Sequence, residues 1–486
     1  MNQPPLVPAG SWLFGHALDV RLDPHPFLIK CISVHGSVFR VRLLNNEFVV
    51  VDARDEAVAA SFFSDPSLNL RKAGNNVMRF EAYLGSEAPH VHSSAHYPAL
   101  LRSKFASGPA LDRVAAKDWS IVEARLAAVA GEAGSEDDRL ADAGAVVDSV
   151  QGLALHLVAA MSAHAFLGPR LGADGRVVAF FTAFFAHSEQ VQVLATFLPA
   201  WIMPIVCFFF FSLNHSLRWM RSILIEEIKL RRANPAVNNN NLSDEDTTPD
   251  LLHHMLLQEP DNNRLVIQIF LLILVTMRNT SLALTNLLYE VAANPPLREA
   301  LLHEIDPTFT RKHAFLSRAA LADLPLLDSL VRESLYQNAK PINTVRYATA
   351  DTVLGGYAIP AGTNVLLYGG ALHGKCFWPL ENQDLARDGV DEYRPKRWLG
   401  TGKAATTTGA DFVVFGGGRS ACPGRFLGVL EIKTVLCVAL LRYNLSLARG
   451  ECMPVKEIRM KHVVPGVQVG SGREVPLRMS RRVLVS

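Results

Sequence analysis

The sequence predicts one large mixed domain of helices and short strands. Ala- and Leu-rich stretches with helical spacing fill residues from about 96 to 230 and from about 264 to 337. Alternating apolar segments beside turn residues appear near the N-terminus and again around 353–368. No linker separates independent cores along the 486 residues, so 1–486 is read as a single unit.

The elements follow in order. Residues 37–44 alternate, Asn45 and Asn46 can take the positive φ of a tight turn, and 47–52 return, which predicts a β-hairpin. Residues 234–249 form a polar loop. Its Asp244, Glu245 and Asp246 read as solvated rather than as a metal-diphosphate site. A long apolar helix is expected from about Arg264 to Ala293, stopped by Pro295 and Pro296. Two strands, Val353 to Ile359 and Asn364 to Tyr368, are expected around the turn Pro360-Ala361-Gly362. The last predicted helix spans Arg425 to Arg442.

Composition narrows the function classes. Apolar residues make up 49% and charged residues 19%, an ordinary globular balance. A net charge of +2 gives no field that would recruit nucleic acid. Six cysteines lie scattered with no C-x-x-C pair, which fits a reducing compartment. The first residues lack a basic region followed by a long apolar core, so no N-terminal anchor is expected. Residues 191–213 carry no charge and include the run Phe208 to Phe211, but Pro199 and Pro204 interrupt them. A membrane-dipping surface element, a full span and a plain core segment are the three readings. Arg218, Arg221, Lys229, Arg231 and Arg232 follow, a supply of charge suited to anionic headgroups.

The chemistry gathers at residues 412–428, Phe-Val-Val-Phe-Gly-Gly-Gly-Arg-Ser-Ala-Cys-Pro-Gly-Arg-Phe-Leu-Gly. Three glycines let the backbone come close to a flat ligand. Cys422 stands just before a helix, where backbone N–H groups stabilise a thiolate. Phe415 can shield the sulfur. Such a thiolate suits an axial haem ligand, although a buried cysteine at a glycine turn would read similarly.

Several further segments share the order of one family. These are Leu327 to Leu335 with Glu333, Arg346 to Asp351 followed by 355–362, His373, and Asp391 to Trp398 with Arg397. Together with the Cys422 loop, the chain resembles the cytochrome P450 family in its fungal haem-thiolate form. The resemblance implies a mostly helical α+β domain with a small N-terminal and central β-sheet. It implies haem b between the long helix and the Cys422 loop, with Cys422 on the iron, Phe415, Gly418 and Gly424 around it, and Arg346 on a propionate. Electrons would come from NADPH through a separate reductase. The expected location is the cytosolic face of the endoplasmic reticulum membrane, held peripherally, or the cytoplasm.

Departures from the family pattern cluster near the haem. Tyr336 stands where an arginine normally follows Glu333, which leaves Glu333 to pair directly with Arg397 while Tyr336 hydrogen-bonds. Ser420 replaces a basic residue. Ser94 and Pro98 fall where tryptophan and arginine are usual, with His90, His92 and His96 nearby. The long helix reads Thr276-Met277-Arg278-Asn279-Thr280-Ser281. Met277 is expected to fill the oxygen groove, Asn279 replaces an acid, and Thr280 remains. Arg278 calls for a polar pocket or a partner carboxylate within the protein, or for an acidic or phosphorylated substrate.

Two functions follow from the resemblance. The first is a monooxygenase acting on an apolar small molecule such as a terpenoid or polyketide-like secondary metabolite, with Thr280 and Asn279 beside the reacting centre. The alternative is a non-oxidative isomerase, cyclase or dehydratase on the same fold, with weakened haem binding.

Overall fold

Strand alternation explains how the sheet is buried on both faces. The computed structural model describes all residues except 1, 9–10, 12–14, 18, 20–23, 44–45, 79, 95, 105–108, 132–143, 198–201, 208, 210–214, 235–249, 312–317, 338–341, 370–392, 449–460, 465–466, 470–474 and 483–486. The polar loop 235–249 and His373, Asp391 and Glu392 therefore lie outside the described residues.

The main sheet has five strands. They are β1 (Val38–Leu43), β2 (Asn46–Asp52), β3 (Leu68–Asn69), β5 (Ile342–Ala348) and β8 (Asn364–Tyr368), in the order β1-β2-β8-β5-β3. Only the β2–β8 pair is parallel. Val38, Val49, Val51, Val365 and Leu367 face Val58 and Phe62 of α1 (Glu56–Ser64). Phe39, Val41, Val50, Leu366 and Tyr368 face Leu28 and Ile29 on the other side. Period-2 alternation thus serves two cores at once. The expected N-terminal hairpin is present, but Asn46 lies inside β2, paired with Leu43, one residue earlier than predicted.

The stretch Val353 to Ile359 is not one strand. It folds back on itself as β6 (Thr352–Leu354) and β7 (Tyr357–Ile359). Gly355 and Gly356 both have positive φ, +54° and +81°, the turn geometry that a two-residue hairpin prefers. A third sheet, β4 (Ala145–Val147), β12 (Leu477–Arg481) and β9 (Tyr443–Leu447), was not visible in the sequence pattern. The pair β10 (Lys461–Val464) and β11 (Val467–Val469) was likewise missed.

Helices dominate the rest. Among them are α2 (Pro109–Val129), α3 (Val150–Gly172), α4 (Gly175–Phe197), α5 (His215–Ala233), α6 (Asn262–Ala293), α7 (Pro325–Gln337) and α8 (Arg425–Arg442). Helix α6 starts at Asp261, whose carboxylate accepts from the Asn263 and Arg264 N–H groups, 2.7 and 3.0 Å away. It crosses the helical core and packs against α3, α4 and α8. From Leu265 to Ala292 every residue is buried except Val275, Thr276 and Asn279. Helices α3 and α6 are long and apolar enough to cross a membrane, and both are mostly buried in the core. Residues 191–213 do not form one helix: α4 ends at Phe197 and a separate short helix spans Met203–Cys207.

Candidate active site

Cys422 lies between a short 3-10 turn, Gly418–Ser420, and the start of α8. Its N–H donates to the Phe415 carbonyl at 2.8 Å, which closes the loop on itself. The backbone N–H groups of Gly424 and Arg425 point at the sulfur. Burial pushes the Cys422 thiol up, and those two N–H groups with the Arg425 charge pull against it. Cys422 as a residue is nevertheless exposed.

The glycines do two different jobs. Gly418 has φ +59°. A methyl at Gly417 would sit 3.0 Å from the Phe63 ring, and one at Gly418 would lie 3.3 Å from the Phe63 carbonyl. Within the protein, the close approach there is to Phe63 of α1. A methyl at Gly424 would meet nothing within 4 Å, so that residue borders open space. Phe415 is half-buried, its ring 6.1 Å from that of Phe412.

Phe63 also joins the loop to Arg346. The buried Arg346 guanidinium stands 5.2 and 5.7 Å from the rings of Phe62 and Phe63. It donates to the Leu68 carbonyl at 3.1 Å, while its Nε has no partner. Burial pushes its pKa down to about 10, with Asp65 opposing. A buried cation short of acceptors, beside a loop that presents a thiol, is what a carboxylate-bearing prosthetic group would satisfy.

The opposite wall comes from α6. Val275, Thr276 and Asn279 break its burial along one face, at i, i+1 and i+4. Thr280 flanks that window, 9% exposed, with Oγ1 3.2 Å from where a methyl would stand at Gly428 on α8. The window therefore passes close to the helix that Cys422 leads into. Met277, expected to fill the groove, is instead fully buried in the helical core and lies away from the window. Arg278 finds its carboxylate within the protein, pairing with Glu189 of α4. His92 is buried, and its pKa falls to about 4 through desolvation and then the Arg71 charge, so it is neutral at pH 7. His90 is exposed, and the His96 side chain lies outside the described atoms.

Behind the loop, Glu333 is fully buried. It accepts from Arg397 Nε and Nη2 at 2.8 and 3.1 Å and from Trp398 Nε1 at 3.0 Å. The Arg394 N–H and the Gln337 amide add 2.9 and 3.1 Å. The direct Glu333–Arg397 pair is as anticipated. Tyr336 contributes its ring: edge-on to Trp398, parallel to Phe412 and beneath the Arg397 guanidinium. Sequence reasoning overlooked Arg332 and Arg425, which both bond the 404–407 turn behind this loop.

These residues fit haem: an exposed cysteine at a helix start, a buried arginine with an unpaired Nε, and an α6 face opened at Val275, Thr276 and Asn279. The comparisons agree. A family model described as cytochrome P450 matches residues 116–468. The cytochrome P450 monooxygenase cicH of Emericella nidulans is 33% identical over 177 residues, 35% of this chain and 34% of that protein. The monooxygenase notH of an Aspergillus species is 29% identical over 308 residues, 61% of this chain and 58% of its own. The monooxygenase ptmU of Penicillium ochrochloron is 28% identical over 318 residues, covering 62% and 60%. The chain thus aligns with about a third to three fifths of these relatives' lengths. The structure of retinoic acid bound cyanobacterial CYP120A1 superposes with a TM-score of 0.70 at 17% identity, over 99% of this chain and 100% of that one.

Proposed function

The chain belongs to the cytochrome P450 family, and from that premise we propose that it is a haem-thiolate monooxygenase acting on an apolar small molecule, of terpenoid, polyketide or similar secondary-metabolite kind. Members of the family carry haem b and take electrons from a separate reductase. The observation that carries the reading is Cys422, an exposed residue at the start of α8 whose sulfur receives the Gly424 and Arg425 N–H groups.

Bound haem would supply the redox centre for activating dioxygen. Cys422 would ligate the iron, with the Gly424 and Arg425 N–H groups holding negative charge on its sulfur. Arg346 would neutralise a propionate with its free Nε. Thr280 Oγ1 can pass a proton, whereas the Asn279 amide can orient a water but cannot act as an acid. Val275, 44% exposed, offers an apolar contact on the α6 window, which suits an apolar substrate.

A peripheral position on the cytosolic face of the endoplasmic reticulum fits the exposed Ile205 and Phe209, 55% and 62% accessible, followed by basic α5.

The test is the absorbance spectrum of the reduced, carbon monoxide-treated protein. The wild type is expected to give a thiolate-type Soret band that Cys422→Ser abolishes. A wild type without that band refutes the reading, as does product formation that needs neither reductant nor oxygen.

A further inference from the structure

Arg332 is the largest fully buried side chain among the described residues, 1% exposed. Its guanidinium lies between two aromatic rings, 4.5 Å from Trp398 and 3.8 Å from Phe412. A planar cation stacks this way and a lysine does not. From that slot Nη1 donates to the carbonyls of Ala404 and Thr407, each at 2.8 Å. These are the two ends of one turn, because the Thr407 N–H also bonds the Ala404 carbonyl at 2.9 Å.

The two residues between them are held as well. The Ala405 N–H donates to Asp328 at 2.8 Å. The Thr406 carbonyl accepts from Arg425 Nε at 3.0 Å. Arg425 then uses Nη1 on the Cys422 carbonyl at 2.7 Å, and its own N–H faces the sulfur. A continuous path of bonds runs from Arg332 through the 404–407 turn and Arg425 to Cys422. A second path runs through Phe412, whose ring meets that of Phe415, and the Phe415 carbonyl receives the Cys422 N–H.

We propose that Arg332 is the positioning residue that fixes the Cys422 loop for thiolate ligation, in place of the arginine that the chain lacks at Tyr336. The inference rests on the haem-thiolate reading and adds to it which side chain holds the ligand. The geometry explains the exchange. Tyr336 fills part of the same aromatic box, parallel to Phe412 and edge-on to Trp398, so cation and ring have divided the work. An arginine at 336 would compete with Arg332 for these rings.

The test uses the full chain loaded with haem, reduced and treated with carbon monoxide at a series of pH values. The readout is the fraction of thiolate-type Soret band, not turnover. In Arg332→Gln the band is expected to give way to the protonated-thiol form at a pH about one unit higher than in wild type, because a loosened loop no longer holds the Gly424 and Arg425 N–H groups on the sulfur. Arg332→Lys should recover little, since an ammonium cannot stack between rings and bridge both carbonyls. Tyr336→Arg should not strengthen the band. Where Arg332→Gln does not fold, Arg425→Gln breaks the same path later and should move the midpoint in the same direction. Variants with lower melting temperature but an unmoved spectral midpoint overturn the proposal, as does full recovery by Arg332→Lys. A wild type with no thiolate band refutes the underlying reading instead, so the two failures are distinct.

Discussion

Glu333 takes five donor atoms without touching solvent. Its charge is therefore fully committed to partners. Glu333→Gln would turn two N–H groups toward those donors and leave Arg397 facing a neutral amide. The expected loss is about 3–5 kcal/mol in urea unfolding, the usual cost of breaking a buried pair. A change below about 1 kcal/mol would show the cluster to be replaceable. The Glu333–Arg397 pair was legible in the sequence because both residues stand in recognisable segments. Arg332 was not. A charged residue beside a glutamate on a helix reads as a solvated face, and only the distant Trp398 and Phe412 turn it inward. Arg278 shows the same limit, because its partner Glu189 lies on another helix.

At the scale of elements, regular structure was legible and its interruptions were less so. Helix α6 appeared within two residues of its expected start because Asp261 caps an apolar run that Pro295 ends. The hairpin β6–β7 was missed because Val353 to Ile359 reads as one extended run unless Gly355-Gly356 is taken as a turn. Helix α3 hides another break at Gly168, which has φ +78° before Pro169. A methyl there would stand 2.2 Å from the Asp250 carboxylate, which Arg231 holds at 2.7 Å. Gly168→Ala is expected to destabilise the protein by about 2 kcal/mol or more, strain and clash acting together. Thermal unfolding checks it, and an unchanged midpoint would mean that α3 bends elsewhere at no cost. The region after α4 yields a different expectation. Replacing exposed Ile205 and Phe209 by glutamate should weaken co-flotation with anionic vesicles severalfold while the Soret band stays intact. Equal flotation would remove this segment from any membrane contact.

At the scale of the whole molecule, helix packing brings two buried acids together. Asp118 of α2 and Glu431 of α8 are both buried, and Ser162 of α3 donates to Glu431 at 3.3 Å. Burial lifts both carboxyls, and the Glu431 charge lifts Asp118 further. Glu431 rises from 4.5 to about 8. The unfolded chain releases that proton near 4.5 and the folded chain near 8, so the proton favours folding below 4.5 and this stability is lost as pH rises between them. The melting temperature of Glu431→Gln relative to wild type should therefore climb from pH 5 to pH 8. A difference that stays flat with pH would mean that the pair titrates elsewhere. No sequence pattern signals this junction, because its two acids lie on helices that meet only in the folded chain.

The window in α6 has a consequence of its own. Between Leu265 and Ala292 only Val275, Thr276 and Asn279 escape burial on this core helix. Under the proposed haem-thiolate reading, selection can retune which compounds are accepted by rewriting three letters, without disturbing the surrounding core. Descendants of this chain could diverge quickly in diet while their frame stays the same, and a small randomised library at these three positions would explore much of that range.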